Sequence, residues 1–149
     1  MNGFRELKVW QKGMGLVVEV YSVTKGFSEE ERYGLSSQIR RAAVSVPSNI
    51  AEGYGRQSRR DYLRFLQIAR GSLYELETQI EIALNLGFFG SEVFDELSEN
   101  ISEISRMLSA LISRIREADD KPSGRVKEED ESVYADFDAC EALACLTTD

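Results

Sequence analysis

The chain of 149 residues contains no histidine, only two prolines and only two cysteines. Without histidine, Ser-His-Asp and Cys-His catalysis are excluded, and the commonest transition-metal ligand is missing. Both cysteines, Cys140 and Cys145, lie near the end of the sequence, and a zinc site normally takes four protein ligands. We therefore predict unpaired thiols, no metal, no cofactor and no enzymatic activity.

Long hydrophobic runs are also missing. No apolar run approaches the roughly 20 residues that a membrane-spanning helix requires. The first residues, MNGFRELKVWQKG, contain charges too early for a signal peptide. Apolar residues make up 42% of the chain and charged residues 30%, which is typical of a globular domain. These features predict a cytoplasmic protein with no membrane partner.

Negative charge is concentrated in the last part of the chain. Residues 1–118 contain 15 basic and 16 acidic residues, whereas residues 119–149 contain 3 and 10. The acidic segment has few large apolar residues, which is typical of disorder. We therefore predict a folded domain over residues 1–118 and an acidic, disordered tail over residues 119–149.

Four segments show the apolar spacing of amphipathic helices. The first spans residues 5–24, and its core stripe is expected to contain Leu7, Trp10, Met14, Val17, Val18 and Tyr21. The second spans residues 29–53, begins with a capping box of Ser28 and Glu31, and buries Leu35, Ile39, Val46 and Ile50.

The third helix is predicted to follow the N-cap Ser58 and to end near residue 86. The fourth spans residues 91–118, and its apolar residues alternate in steps of four and three: Leu97, Ile101, Ile104, Leu108, Leu111 and Ile115. This spacing is typical of a coiled-coil seam. Because the connections are short, we predict an all-α fold, an antiparallel up-down-up-down four-helix bundle.

Residues 33–75 differ from the rest of the chain in charge, with seven arginines and three acidic residues. Four of the arginines cluster around the start of the third helix: Arg56, Arg59, Arg60 and Arg64. Backbone N–H groups at a helix start add positive potential, and Tyr54 and Tyr62 could stack on bases. This cluster is a candidate nucleic-acid site. The alternative is that these arginines form surface or inter-subunit salt bridges with residues 29–31.

Small residues fill the second helix between Ala42 and Gly53, where large ones would be usual. Ser48 and Asn49 follow Pro47, and their side chains could satisfy a freed carbonyl or reach a neighbour. We interpret this region as a packing seam within or between chains, with a ligand site as the minor alternative. Gly71 and Ser72 of the third helix are expected to approach it.

Arg40 and Arg41 lie beside the apolar face of the second helix. Long arginine side chains at such positions usually pair with a carboxylate. Glu52 and Glu75 are the expected partners.

Three segments of the sequence carry a family resemblance: LKVWQK, YGLSSQIRRAAVSVPSNIAEGYGR and DYLRFLQIARGSLYELETQIEIALNLGF. Together they resemble the four-helix-bundle proteins encoded in intervening sequences of bacterial 23S ribosomal RNA genes. The resemblance covers nearly all of residues 4–115. It implies a bundle that tends to assemble as a pentameric ring and has no established enzymatic activity. The family is similar to accessory proteins of diversity-generating retroelements, which form a basic pentameric barrel and bind a reverse transcriptase and nucleic acid.

By position, this chain's copies of the family motif are Arg40, Arg41, Ser48, Asn49, Glu52, Arg56, Gly71, Ser72 and Glu75. The resemblance gives them no catalytic role and makes them candidate interface residues. The resulting hypothesis is a non-enzymatic homo-oligomer that binds RNA, DNA or a ribonucleoprotein through the basic cluster. The alternative is a structural or protein-interaction module in which the motif residues hold a ring together.

Overall fold

The computed structural model describes residues 3–120, and the four α-helices of this part form an antiparallel bundle. The helices are α1, Lys8–Thr24; α2, Leu35–Tyr54; α3, Arg59–Asn85; and α4, Ser91–Asp120. Each helix packs against the next along the chain, and α1 also packs against α4. No strand occurs between residues 3 and 120. The predicted all-α, up-down-up-down fold is therefore confirmed.

Helix α4 continues through Asp120, two residues beyond the predicted end of the fourth helix. The rest of the tail, with Cys140 and Cys145, lies outside the described residues.

The core is a single cluster contributed by all four helices. In α4, every residue of the predicted seam is buried: Leu97, Ile101, Ile104, Leu108, Leu111 and Ile115. In α3, the buried set includes Leu66, Ala69, Leu73, Leu76 and Ile80. The predicted face of α2 is also buried at Ile39, Val46 and Ile50.

The buried face of α1 differs from the predicted one. Its buried residues are Val9, Gly13, Leu16, Val20 and Thr24. Three members of the predicted stripe face outward instead, because Met14, Val18 and Tyr21 are 42%, 68% and 42% exposed. The helix carries two interleaved sets of apolar residues at helical spacing, and the predicted stripe mixed the two. Its other members agree with the structure, because Leu7 is buried and Trp10 and Val17 pack against the core.

A close contact between α1 and α2 explains which face of α1 is buried. Gly13 lies against Pro47, and a Cβ atom added to Gly13 would stand 3.5 Å from the Cβ atom of Pro47. The small surface of Gly13 and the flat ring of Pro47 therefore fit together inside the bundle. Helix α2 continues through Pro47 to Tyr54.

The start of α2 also differs from the prediction. Residues Glu29–Arg32 form a separate 3-10 turn, and Gly34 has a non-helical backbone with φ −101° and ψ −124°. The Ser28 side chain forms no capping hydrogen bond. Instead, the Glu31 carboxylate accepts a hydrogen bond of 2.9 Å from the Leu35 backbone N–H. The predicted capping box was therefore wrong, and Glu31 caps a helix that begins later.

The start of α3 agrees with the prediction. The Ser58 hydroxyl oxygen accepts a hydrogen bond of 3.1 Å from the Asp61 backbone N–H. The same hydroxyl donates a hydrogen bond of 2.7 Å to the Asp61 carboxylate. This cap satisfies one of the free N–H groups at the helix end. It thereby fixes where the basic cluster begins.

Candidate functional site

Arg60 and Arg64 are the two arginines of the basic cluster that are available to a ligand. Both are exposed and stand four residues apart on the first turns of α3. With Ser58 and Asp61 they line a shallow concavity at this end of the bundle. Within residues 3–120, neither guanidinium forms a hydrogen bond or an ion pair.

The other two arginines of the predicted cluster are held by the protein itself. An Arg56 Nη2 atom donates a hydrogen bond of 2.6 Å to Glu52 Oε1, four residues earlier. The Arg56 guanidinium also lies 4.7 Å from the centre of the Phe65 ring. Arg59 is half-buried and has an interaction within the chain. The structure therefore divides the predicted group of four into two held and two available cations.

Tyr54 and Tyr62, which were expected to stack on bases, belong to the interior. Tyr62 is only 4% exposed. Its ring meets Tyr54 edge-on at 6.3 Å, and Tyr54 meets Phe4 edge-on at 6.5 Å. These rings close the core at the end of the bundle that contains the α2–α3 connection. The prediction of base stacking was therefore wrong for Tyr62. The exposed side chains of Arg60 and Arg64 can instead form charge-assisted hydrogen bonds with phosphate groups.

Arg40 joins α1 to α2 without a carboxylate partner. Its Nε atom donates a hydrogen bond of 2.8 Å to the Thr24 hydroxyl. Its guanidinium lies 4.6 Å from the centre of the Tyr21 ring. A cation above an aromatic face is attracted by the ring's quadrupole. The expected carboxylate pair of Arg40 was therefore wrong.

Arg41 is exposed and has no partner in the described part of the chain. Neither of its expected partners binds Arg41. Glu52 forms an ion pair with Arg56, and Glu75 accepts a hydrogen bond of 3.0 Å from Gln79 Nε2. The predicted ion pair of Arg41 is therefore absent among residues 3–120. This leaves Arg41 as a third available cation.

The predicted salt bridges between the basic cluster and residues 29–31 cannot form within one chain. The two groups lie at opposite ends of α2. A helix of 20 residues spans about 30 Å, which is far beyond ion-pair distance. Only the inter-subunit form of this alternative remains.

The small-residue seam is a close contact between α2 and α3. The Ser72 hydroxyl donates to the Ser45 hydroxyl at 2.8 Å, and Asn49 Nδ2 donates to the Ser45 carbonyl at 2.8 Å. At Gly53, an added Cβ atom would stand 2.8 Å from the Phe65 Cβ atom. The seam therefore lies within the chain at these positions.

Gly71 and Ser48 do not belong to that contact. An added Cβ atom on Gly71 would have no other atom within 4 Å. Ser48 is exposed, and its hydroxyl donates a hydrogen bond of 2.7 Å to the Val44 carbonyl. The expected approach of Gly71 to α2 was therefore wrong. Val44 and Ile68, which are 39% and 41% exposed, also lie on the outer surface of α2 and α3.

An apolar stripe remains exposed on α1, and we call it the α1 stripe. It consists of Met14, Val18 and Tyr21. These residues are spaced four and three apart, so they share one side of the helix. Arg40 of α2 lies over the Tyr21 ring, which places this side of α1 next to α2. Arg40 therefore covers one face of Tyr21, and the rest of the stripe is exposed in the described chain.

Charge is segregated along the bundle. The basic end, residues 3–12, 49–66 and 106–120, contains ten basic and six acidic residues, a net charge of +4. The acidic end, residues 19–41 and 75–103, contains four basic and twelve acidic residues, a net charge of −8. The basic end contains the α2–α3 connection, and the acidic end contains the other two connections. Because residues 1–118 contain 15 basic and 16 acidic residues, the net charge of the bundle does not reveal this separation. The sequence analysis did not predict it.

The described residues contain neither a cluster of metal ligands nor a membrane-spanning helix. Between residues 3 and 120, no three cysteine or carboxylate side chains come together as metal ligands. None of the described helices is long and apolar enough to cross a membrane.

Comparisons with known proteins agree with this architecture. The chain is similar to a protein of unknown function from the S23 ribosomal protein family of Bacteroides thetaiotaomicron, whose crystal structure was determined at 1.70 Å. The two are 27% identical with a TM-score of 0.66, and the match covers 70% of this chain and 97% of that chain. No curated protein matches significantly. The family model described as 23S rRNA-intervening sequence protein matches residues 5–110. The chain belongs to this family of 23S rRNA-intervening sequence proteins.

Proposed function

We propose that the protein is a non-enzymatic, cytoplasmic homo-oligomer that binds the phosphate backbone of RNA with its basic end. The observation that carries this proposal is the exposure of Arg60 and Arg64, which have no partner within residues 3–120. The association of the family with 23S rRNA favours RNA, or RNA within a ribonucleoprotein, over DNA.

The physical basis is electrostatic. Side chains four apart on a helix are neighbours, so Arg60 and Arg64 present two cations side by side. The free N–H groups at the start of α3 add positive potential at the same place. Phosphate contacts of this kind position a nucleic acid without reading its sequence. We therefore propose sequence-independent binding that weakens as salt increases.

The RNA proposal is tested by reversing both charges, Arg60→Glu with Arg64→Glu. Loss of two phosphate contacts should weaken binding of a labelled structured RNA about tenfold or more at 0.1 M salt. It should also reduce the slope of log K against log salt by about 1.5. Fluorescence anisotropy at several salt concentrations measures both quantities.

The matched control is Lys25→Glu, which reverses an exposed cation at the acidic end. This variant should bind RNA as the unmodified chain does. An unchanged affinity of the double variant would refute the assignment of the site. If Lys25→Glu reduced RNA affinity as much per reversed charge as the double variant does, the net charge of the protein would explain the binding and the position of the two arginines would not.

The alternative function, a structural module without nucleic-acid binding, is favoured by two features of the surface. The α1 stripe exposes large apolar side chains, and Gly71 leaves open space in the middle of α3. Glycine inside a helix lowers stability by about 1 kcal/mol relative to alanine. Because Gly71 has no side chain, another chain can approach α3 closely at this position. We propose that these surfaces serve assembly, in a ring that could be a pentamer, whether or not RNA binds.

Assembly is tested with Val18→Asp, which places a charge in the α1 stripe. Burial of an unpaired carboxylate at an interface is costly, so the oligomer should dissociate while the helical circular dichroism signal persists. Light scattering measures the mass. Ser102→Asp, which adds the same charge on the exposed surface of α4, should leave the mass unchanged. A monomeric unmodified chain, or an intact oligomer of Val18→Asp, would refute this role of the stripe.

A further inference from the structure

The acidic C-terminal segment, residues 121–149, begins at the basic end of the bundle. We propose that this segment binds to the basic end and competes there with RNA for Arg60 and Arg64. The competition rests on the proposed function of that end, whereas the binding of the segment itself does not.

The direction of α4 determines where the segment starts. Helices α3 and α4 are antiparallel neighbours of 27 and 30 residues. At a rise of about 1.5 Å per residue they are about 40 Å and 45 Å long. The last turn of α4 therefore lies level with the first turn of α3. Ile115 is only 3% exposed, so α4 is still packed on the bundle near this point.

The charges of the two surfaces are complementary. The basic end has a net charge of +4, and residues 121–149 contain eight acidic and three basic residues, a net charge of −5. The acidic end, with a net charge of −8, repels the same segment. Attraction at one end and repulsion at the other both favour the basic end as the position of the segment.

The distance to Arg60 and Arg64 is short for a chain of this length. The acidic run of residues 128–131 starts eight residues after Asp120, and eight extended residues span about 25 Å. Neighbouring helices in a bundle are about 8–10 Å apart, so the run can reach any helix at this end. Covalent attachment through a short linker gives an effective concentration in the millimolar range. Even a weak contact can therefore be populated.

Carboxylates and phosphates use the same contacts on arginine. A guanidinium binds either group through two parallel N–H···O hydrogen bonds. The carboxylates of the segment can therefore occupy the contacts that RNA phosphates require. If the segment occupies the basic end for nine-tenths of the time, the apparent affinity for RNA falls about tenfold.

The test uses the chain ending at Asp120. The whole buried core lies between Leu7 and Ile115, and the Bacteroides relative is matched over 97% of its own length by 70% of this chain. The bundle of that relative therefore folds without a counterpart of the segment. A labelled synthetic peptide of residues 121–149 should bind the shortened chain in a fluorescence anisotropy titration without RNA. Binding should weaken with salt and be lost in Arg60→Glu with Arg64→Glu.

The second measurement uses RNA and the full chain. Removal of residues 121–149 should increase RNA affinity about tenfold. The replacements Glu128→Gln, Glu129→Gln, Asp130→Asn and Glu131→Gln, which preserve the length of the chain, should give most of this increase. The free peptide should reduce RNA binding to the shortened chain competitively.

The two proposals fail separately. A peptide that does not bind the shortened chain at protein concentrations up to the millimolar range, or binds it equally after both arginines are reversed, overturns the docking of the segment, whatever RNA does. Peptide binding without any RNA binding supports the docking and refutes the RNA function. Peptide and RNA that bind at the same time overturn the competition.

Discussion

Replacement of Leu16 by alanine is expected to lower the free energy of unfolding by about 2–5 kcal/mol. Leu16 is 1% exposed and lies on the buried face of α1. The substitution removes apolar contacts and leaves a cavity that the neighbouring helices α2 and α4 can fill only in part. Urea unfolding followed by circular dichroism gives the difference, provided that the slope with urea stays the same.

The control for this prediction lies two residues away. Val18 is 68% exposed, so Val18→Ala should change the free energy of unfolding by less than about 0.5 kcal/mol. Both variants should be measured at low protein concentration, because self-association adds to apparent stability by mass action. If Val18→Ala were the more damaging change, the outward face of α1 would be the core face after all.

A pair of glycine substitutions gives the second large contrast. Gly53→Ala should lower the free energy of unfolding by about 1–3 kcal/mol, because overpacking displaces neighbouring atoms. The added Cβ atom would stand 2.8 Å from the Phe65 Cβ atom and 2.9 Å from Tyr62 Cδ2. The Phe65 Cβ atom is attached directly to the backbone, so α3 itself would have to move. Thermal and urea unfolding both measure this loss.

Gly71→Ala is the matched control, since Gly71 has open space around it. The same chemical change there should raise the free energy of unfolding by up to about 1 kcal/mol at a protein concentration low enough to keep the chain monomeric, because alanine favours a helix more than glycine does. Opposite signs at the two positions are the expected result. Equal losses at both glycines would contradict the close contact assigned to Gly53.

The sequence predicts α3 and α4 well, for identifiable reasons. The seam of α4 contains one set of large apolar residues with polar residues elsewhere, so only one face can be buried. The start of α3 is marked by Ser58 and Asp61, which form the predicted hydrogen bond. In both helices the local pattern and the tertiary contacts agree.

Helix α1 and the start of α2 show where local patterns fail. In α1, two apolar faces are compatible with the spacing, and the choice depends on the contact of Gly13 with Pro47. That contact joins residues distant in sequence, so periodicity cannot reveal it. At α2, the capping pattern of Ser28 and Glu31 competes with the break at Gly34, and the break prevails.

The candidate site was predicted in position but not in detail. The sequence places a basic cluster at the start of α3, and the structure locates Arg60 and Arg64 there on the surface. Which arginines are available depends on partners in other helices. The hydroxyl of Thr24 and the ring of Tyr21 hold Arg40 from 16 and 19 positions earlier in the chain. A pattern of charges along the sequence does not contain this information.

The separation of charge along the bundle makes it an electric dipole. Ends of net charge +4 and −8 lie roughly 40 Å apart on helices of this length. Near a polyanion such a dipole turns before contact, within about 10 Å at moderate salt. On the proposed RNA function, a bound copy would present its acidic end to the solvent and repel a second polyanion. We therefore expect copies of the protein to cover one RNA strand and not to cross-link two.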